Sequence, residues 1–154
     1  MPVNVHNERF ELERVLSKCR SHVFSAWADP DKKRKWIGGP SDKGNSHVMD
    51  FRVGGREFGA FENEMGLHEN ETRYFEILPD DLIVFSYSMS MNRRVHSVSL
   101  VTVRFADEGG GTRLTYTEQM CVIEPSDGAA GREHGWNALL NALESFLEGE
   151  LAAQ

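Results

Sequence analysis

REHGWNALLNALESFL, residues Arg132 to Leu147, is the stretch whose reading decides the fold. Its apolar positions are Trp136, Leu139, Leu140, Leu143, Phe146 and Leu147. These fall at i, i+3, i+4, i+7, i+10 and i+11, which lays one broad apolar stripe along a helix of 3.6 residues per turn. Run on to Glu148, such a helix is about 26 Å long at a rise of about 1.5 Å per residue. A stripe of that width needs a surface to cover, and the residues before it read almost entirely as strands. One long helix laid on an antiparallel sheet is a layered α+β arrangement.

Working back from the helix, the period is two. The expected strands are Phe10 to Leu16, His47 to Val53, Arg56 to Glu62, His68 to Leu78, Leu82 to Met91, Arg94 to Ala106 and Thr112 to Ile123. Gly54 with Gly55, Pro79 to Asp81, Asn92 with Arg93, and Asp107 to Gly111 supply the turns. Short connections between successive strands imply antiparallel pairing. After the first strand, Ser17 is placed to cap a helix with Val23, Phe24 and Trp27 inside. Asp29 caps a second helix with Pro30 at its first position, where a missing N–H has no consequence. That helix ends at Trp36 and Ile37, broken by Gly38, Gly39 and Pro40, and the polar stretch Ser41 to Ser46 reads as a loop. The order is β-α-α-β6-α: a curved seven-stranded antiparallel sheet around a long C-terminal helix.

At 154 residues the chain suits a single domain, spanning 1–154, with 1–8 and 149–154 as segments expected to fray. The formal net charge is −7. Such a surface repels nucleic acid and anionic membrane, so neither is an expected partner. The basic run Lys32 to Lys35 reads as the solvated face of the second short helix. Cys19 and Cys121, the two cysteines, read as free thiols rather than a disulfide. With no signal segment and no long apolar run, the expected location is cytoplasmic.

The local motifs VFSAWADPDKKRKW (Val23 to Trp36), MDFRVGGREF (Met49 to Phe58), YFEILPDDLIVFSYSM (Tyr74 to Met89), SVSLVTVRF (Ser97 to Phe105), GGGTRLTYTEQ (Gly109 to Gln119) and GREHGWNALLNALESFL stand in one order along nearly the whole chain. In that order the chain resembles the SRPBCC (START, or Bet v-like) superfamily. Within it the chain is similar to the branch named after the activator of heat shock protein 90 ATPase, in its C-terminal domain. The resemblance implies the helix-grip fold, with the two short helices closing one end and a hollow between sheet and long helix. In the wider superfamily that hollow holds lipids, sterols, polyketides or plant hormones, and some relatives are aromatases or cyclases.

Signatures of catalysis are sparse. The sequence has no G-x-S-x-G, P-loop, H-E-x-x-H or CxxC motif, so no catalytic residue, metal site or cofactor is assigned. His134 and Glu133 read as the solvated start of the helix, and His96 as a satisfied or exposed strand residue rather than a general base. Glu118 is the sharper case. It shares a strand face with Leu114, Tyr116 and Met120, which points a carboxylate inward, where it needs a partner. Arg56, Arg73, Tyr87 and Ser99 are partners by type, and the role is either a structural ion pair or a polar anchor.

Alternation supplies the other candidates for the cavity wall. Phe85, Tyr87 and Met89 share one face, and Met49, Phe51 and Val53 another. Arg56, Phe58 and Ala60 make a third. Val101, Val103 and Phe105 alternate inward, while upstream Val98 and Leu100 are the apolar residues, which suggests a bulge. Trp36 and Trp136 are placed near opposite ends of the hollow, and Leu140 and Met120 complete the lining. The expected function is to hold a small hydrophobic or aromatic molecule between sheet and helix. The alternatives are a co-chaperone or protein-interaction domain, for which a chaperone is the partner, and a polyketide cyclase or aromatase type of enzyme. A homodimer is a secondary expectation.

Overall fold

The computed structural model describes residues 2–37 and 46–153, with side chains through 149. Seven strands form one antiparallel sheet in the order β1-β7-β6-β5-β4-β3-β2. They are β1 (Val5–Leu16), β2 (Ser46–Met49), β3 (Arg56–Asn63), β4 (Gly66–Leu78), β5 (Leu82–Met91), β6 (Arg94–Glu108) and β7 (Gly111–Ile123). Helices α1 (Arg20–Ala28) and α2 (Pro30–Ile37) follow β1, and α3 (Gly128–Ala153) follows β7. Every strand after β1 pairs with its sequence neighbour, and β1 returns to close on β7 along its whole length, Val5 opposite Ile123 through Leu16 opposite Thr112. The expected order of elements is the observed one. The helix-grip arrangement places α3 across the inner face of the curved sheet.

The turns follow from backbone chemistry. Gly109 and Gly110 have φ of 56° and 82° and join paired residues Glu108 and Gly111. Two successive residues of positive φ make the tight turn that matches strand twist. The β5–β6 connection uses the same geometry without glycine, at Asn92 (φ 51°) and Arg93 (φ 66°). Asn92 tolerates it because its side chain is engaged: Oδ1 accepts from the Leu67 amide and Nδ2 donates to the Met65 carbonyl.

Helix starts depart from expectation in one case. Asp29 does cap α2, its Oδ1 accepting the Asp31 amide at 2.9 Å. Ser17 does not cap α1; the helix begins two residues later, with Cys19 at the cap position and no side-chain cap bond. The segment before it is tied to the sheet instead, Thr112 Oγ1 donating to the Lys18 carbonyl. The helix break at Gly38, Gly39 and Pro40 and the loop from Ser41 lie outside the described residues, apart from Ser46, which opens β2.

The core joins both layers. Leu140, Leu143 and Leu147 of α3 are buried against Phe10, Leu12, Leu114, Tyr116 and neighbours on the sheet. Trp27 of α1 stacks on Trp136 (centroids 6.0 Å apart, 4° between planes) and meets Trp36 edge-on at 4.8 Å. Trp36 and Trp136 therefore belong to one aromatic cluster bridged by Trp27, not to opposite ends of the interior. Among the described residues no helix is long and apolar enough to cross a membrane.

The Asn92–Arg93 turn generates a prediction. A side chain at φ 66° is strained for arginine and not for glycine. Arg93→Gly is expected to raise stability by about 0.5 kcal/mol, seen in urea unfolding as a higher midpoint at unchanged slope; a lower midpoint refutes it.

Candidate functional site

The inner face of the sheet carries two buried charge networks with a hollow between them. The first is centred on Glu118 of β7. Its carboxylate is fully buried, and every neighbour donates to it: Tyr116 Oη at 2.6 Å, Ser99 Oγ at 2.6 Å, Tyr87 Oη at 2.7 Å and Arg132 Nη1 at 3.2 Å. Tyr87 and Ser99 are two of the partners expected from residue type. The cation is not one of those expected. Arg56 lies on the outer face, paired with exposed Glu71, and Arg73 lies outward over the ring of Phe75.

Arg132 comes from the first turns of α3, one turn before Trp136 on the buried stripe. All five of its N–H groups have acceptors. Nε and Nη2 grip the two oxygens of Asp127 at 3.1 Å each, and Nη2 also reaches Ser97 Oγ at 2.7 Å. Nη1 serves Tyr87 Oη at 3.0 Å and Glu118. Tyr87 Oη is equally committed, donating to Glu118 and accepting from Arg132 and from Trp136 Nε1 at 3.3 Å. Burial, and then the Glu118 charge, push the Tyr87 hydroxyl far above the usual phenol range, so it stays a neutral donor.

This network explains the break in the β6 pattern. Ser97 and Ser99 occupy regular inward positions, facing Met89 and Tyr87 across the strands, and are hydroxyls because they serve Arg132 and Glu118. Val98 and Leu100 stay on the outer face. The bulge lies just upstream, where the register between β5 and β6 shifts at Ser90 and His96 is the extra residue. His96 is buried there, with Nδ1 3.3 Å from Ser126 Oγ and 3.6 Å from Asp127. Burial lowers its basicity, opposed by the Asp127 charge.

The second network is centred on Glu57 of β3. Lys33 Nζ of α2 donates to Oε1 at 2.6 Å, Tyr74 Oη donates to the same oxygen at 2.5 Å, and His47 Nε2 meets Oε2 at 2.7 Å. Arg34 Nε, which can only donate, points at His47 Nδ1 at 2.9 Å, so the His47 proton sits on Nε2 toward Glu57. Burial alone drives the Glu57 carboxyl upward. The Lys33 charge and the bonds from His47, Lys33 and Tyr74 outweigh it and hold the pKa at about 2. The basic run is thus not wholly solvated. Lys33 shares a helix face with Trp36 and Ile37 and is buried; Arg34 and Lys35 are exposed.

Glu57 also reverses the expected face of β3. Arg56 and Phe58 point outward, Phe58 opposite Val48, and Glu57, Gly59 and Phe61 point inward. The alternation holds in the opposite phase to the expected one: the inward carboxylate is stabilised by Lys33, 24 residues away, which local pattern does not register. On the preceding segment, Met49 and Phe51 pack on the core, Phe51 edge-on to Tyr74 and Phe24, while Val53 is exposed.

The hollow has a volume of about 410 Å³. Of the candidate wall residues, Tyr87, Phe85, Met89 and Trp136 border it. Glu118, Tyr116, Met120, Leu140, Trp36 and Phe51 are packed behind the wall, and Phe58 and Arg56 face away from it. Sequence reading missed Lys33, Ile37, Glu57, Phe61, Asn70, Thr72, Asp127, Gly131, Arg132, Gly135 and Leu139, which complete the border. For Arg132 the signal was available, a charge at i−4 from Trp136 on the apolar stripe. A second depression, on the outer face around Ser86, Val98, Leu100 and Gln119, is open to solvent.

Comparison with known proteins places this geometry in a family. The family model described as Activator of Hsp90 ATPase homolog 1-like protein matches residues 19–148. No curated protein matches. Among solved structures, the Mll3558 protein from Rhizobium loti is 38% identical, with 93% of this chain and 99% of that one covered and a TM-score of 0.86. An uncharacterized protein from Rhizobium leguminosarum is 32% identical over 96% and 99% of the two chains, with a TM-score of 0.89. A protein of unknown function from Staphylococcus aureus, 14% identical over 96% and 98%, shares the fold at a TM-score of 0.76.

Two predictions follow from the networks. Glu57 has its folded pKa depressed to about 2 from an ordinary 4.5. Its stabilising contribution is therefore complete above about pH 5 and is lost as pH falls toward 2. Glu57→Gln should remove about 3 kcal/mol of stability at pH 7, with the gap to wild type narrowing as pH drops from 5 to 3; a gap independent of pH refutes this. Arg132→Met leaves Glu118 and Asp127 without their cation. It is expected to cost about 3–5 kcal/mol in urea unfolding, and a cost under about 1 kcal/mol would mean the network is dispensable.

Proposed function

This chain belongs to the Activator of Hsp90 ATPase homolog 1-like family, and we propose that it is a binding module holding one small apolar or aromatic molecule between β3–β5 and α3. The observation that carries this reading is a glycine, Gly135, on the helical wall of the hollow where packing does not call for one. Gly131 and Gly135 lie one turn apart on α3 and both border the cavity. A glycine inside a helix is about 0.5–1 kcal/mol less favourable than alanine. At Gly135 an added Cβ would meet nothing within 4 Å, so close packing does not require glycine there. A helix selected for stability alone would carry a larger residue at 135 and narrow the hollow.

Other features agree. A volume of about 410 Å³ lies in the range of small-molecule sites, about 300–1,000 Å³. Ile37, Phe61, Phe85, Met89, Trp136 and Leu139 give the border an apolar surface, set beside the polar groups of Lys33, Glu57, Asn70, Thr72, Tyr87, Asp127 and Arg132. Glu118, the residue with most claim to acid–base chemistry, has its oxygens occupied by four donors behind Tyr87. That arrangement favours an anchoring role and supports a holding function over a catalytic one.

Filling the hollow from the helix tests the reading. Gly135→Leu should fold with unchanged or higher stability, by up to about 1 kcal/mol, and lose the thermal shifts that wild type shows with hydrophobic metabolites. A wild-type protein that shifts with no compound and carries none in native mass spectrometry would overturn the proposal, as would a Gly135→Leu variant that binds like wild type.

A further inference from the structure

The cavity border separates into polar groups that are committed and polar groups that are not. Arg132 has no N–H to spare, and Asp127 is occupied by it on both oxygens. Glu57 takes Lys33 and Tyr74 on one oxygen and His47 on the other. Lys33 keeps one N–H, but its charge is matched by Glu57 at 2.6 Å. Asn70 and Thr72, neighbours on the inward face of β4, differ from all of these. Among the described residues neither side chain has a hydrogen-bond partner, and both border the cavity.

The backbone makes room for this pair. Asn70 stands opposite Gly59 across the β3–β4 ladder. A Cβ at residue 59 would lie 2.8 Å from Asn70 Oδ1 and 3.4 Å from Nδ2. The missing side chain at 59 is therefore what lets the Asn70 carboxamide lie where it does. Asn70 offers an acceptor and two donors, and the Thr72 hydroxyl offers one donor and further acceptor capacity.

The charge around the hollow sets a second condition. Two cations, Lys33 and Arg132, stand against three carboxylates, Glu57, Asp127 and Glu118. A ligand carboxylate would add a fourth negative group where no cation is free, in surroundings that screen it poorly. A ligand ammonium would find each carboxylate already engaged and Lys33 close by.

Resting on the cavity-binding reading above, we propose that Asn70 and Thr72 are the polar recognition site of this cavity and select an uncharged ligand with a hydrogen-bond donor and acceptor side by side, of the carboxamide or lactam type, on an apolar ring. The acids of similar shape are rejected. The carboxamide of Asn70 pairs with its like in the ligand through two antiparallel N–H to C=O bonds, and Thr72 holds the remaining polar edge.

Four probes of one ring system test it: 2-naphthamide, 2-naphthoate, 2-naphthylmethylamine and naphthalene, titrated into the intact protein by calorimetry at pH 7. The amide is expected to bind about tenfold more tightly than naphthoate or the amine, about one net hydrogen bond. Asn70→Ala should weaken the amide about tenfold and leave naphthalene unchanged, with circular dichroism confirming the fold. Thr72→Val, nearly the same in shape, should weaken the amide by a smaller factor. If naphthalene binds but the amide has no advantage, or if Asn70→Ala weakens both alike, the recognition site is refuted while the cavity reading stands. Tighter binding of naphthoate or of the amine refutes it as well. If none of the four binds, the recognition site is refuted, and the cavity reading is decided by the metabolite screen and native mass spectrometry described above.

Discussion

A guanidinium has five N–H groups, and in Arg132 all five are spoken for inside the protein. That saturation fixes the distance between helix and sheet. Farther along α3, Leu140, Leu143 and Leu147 are fully packed on the strands, and the layers meet as apolar surfaces do. At the Arg132 end the layers are joined by bonds of defined length to Ser97, Tyr87 and Glu118. Side chains there cannot collapse inward without leaving a buried charge unpaired, a loss larger than the packing would return. The hollow is therefore the spacing that one arginine imposes.

The Glu57 network plays the matching part on the other side. Lys33 ties α2 to β3 and, through Tyr74, to β4. Buried ion pairs of this kind add little net stability relative to apolar residues of the same volume. What they supply is position: each donor fits one acceptor at one separation, and an apolar contact slides. Two such networks, one per side, hold the cavity border in register while the aromatic cluster of Trp27, Trp36 and Trp136 fills the space beside it.

Most of the fold was legible because it rests on local rules. Period-two runs punctuated by Gly-Gly, Pro-Asp-Asp and Asn-Arg give the strands, and Asp29-Pro30 gives a helix start. The site was legible only in part. Glu118 stood out as a charge among apolar neighbours of the same parity, and Tyr87 and Ser99 followed as hydroxyls on facing strands. Arg132 was readable in principle from its place on the stripe, as was Lys33 from its spacing to Trp36. The phase of β3 was not readable, because whether Phe58 or Glu57 turns inward depends on a cation in another element. Serines at 97 and 99 mimicked a bulge because alternation counts only apolar residues, and these positions are buried for their hydroxyls.

The stacking of Trp27 on Trp136 has an optical consequence. The chain has three tryptophans, and all three stand in one contiguous cluster, Trp36 against Trp27 and Trp27 against Trp136. Indoles at such separations exchange excitation faster than they emit, so light absorbed by any one is shared by the set. Only Trp136 borders the hollow. A quencher or polar group entering there therefore acts on the emission of the entire chain, and the protein carries its own occupancy gauge without a label.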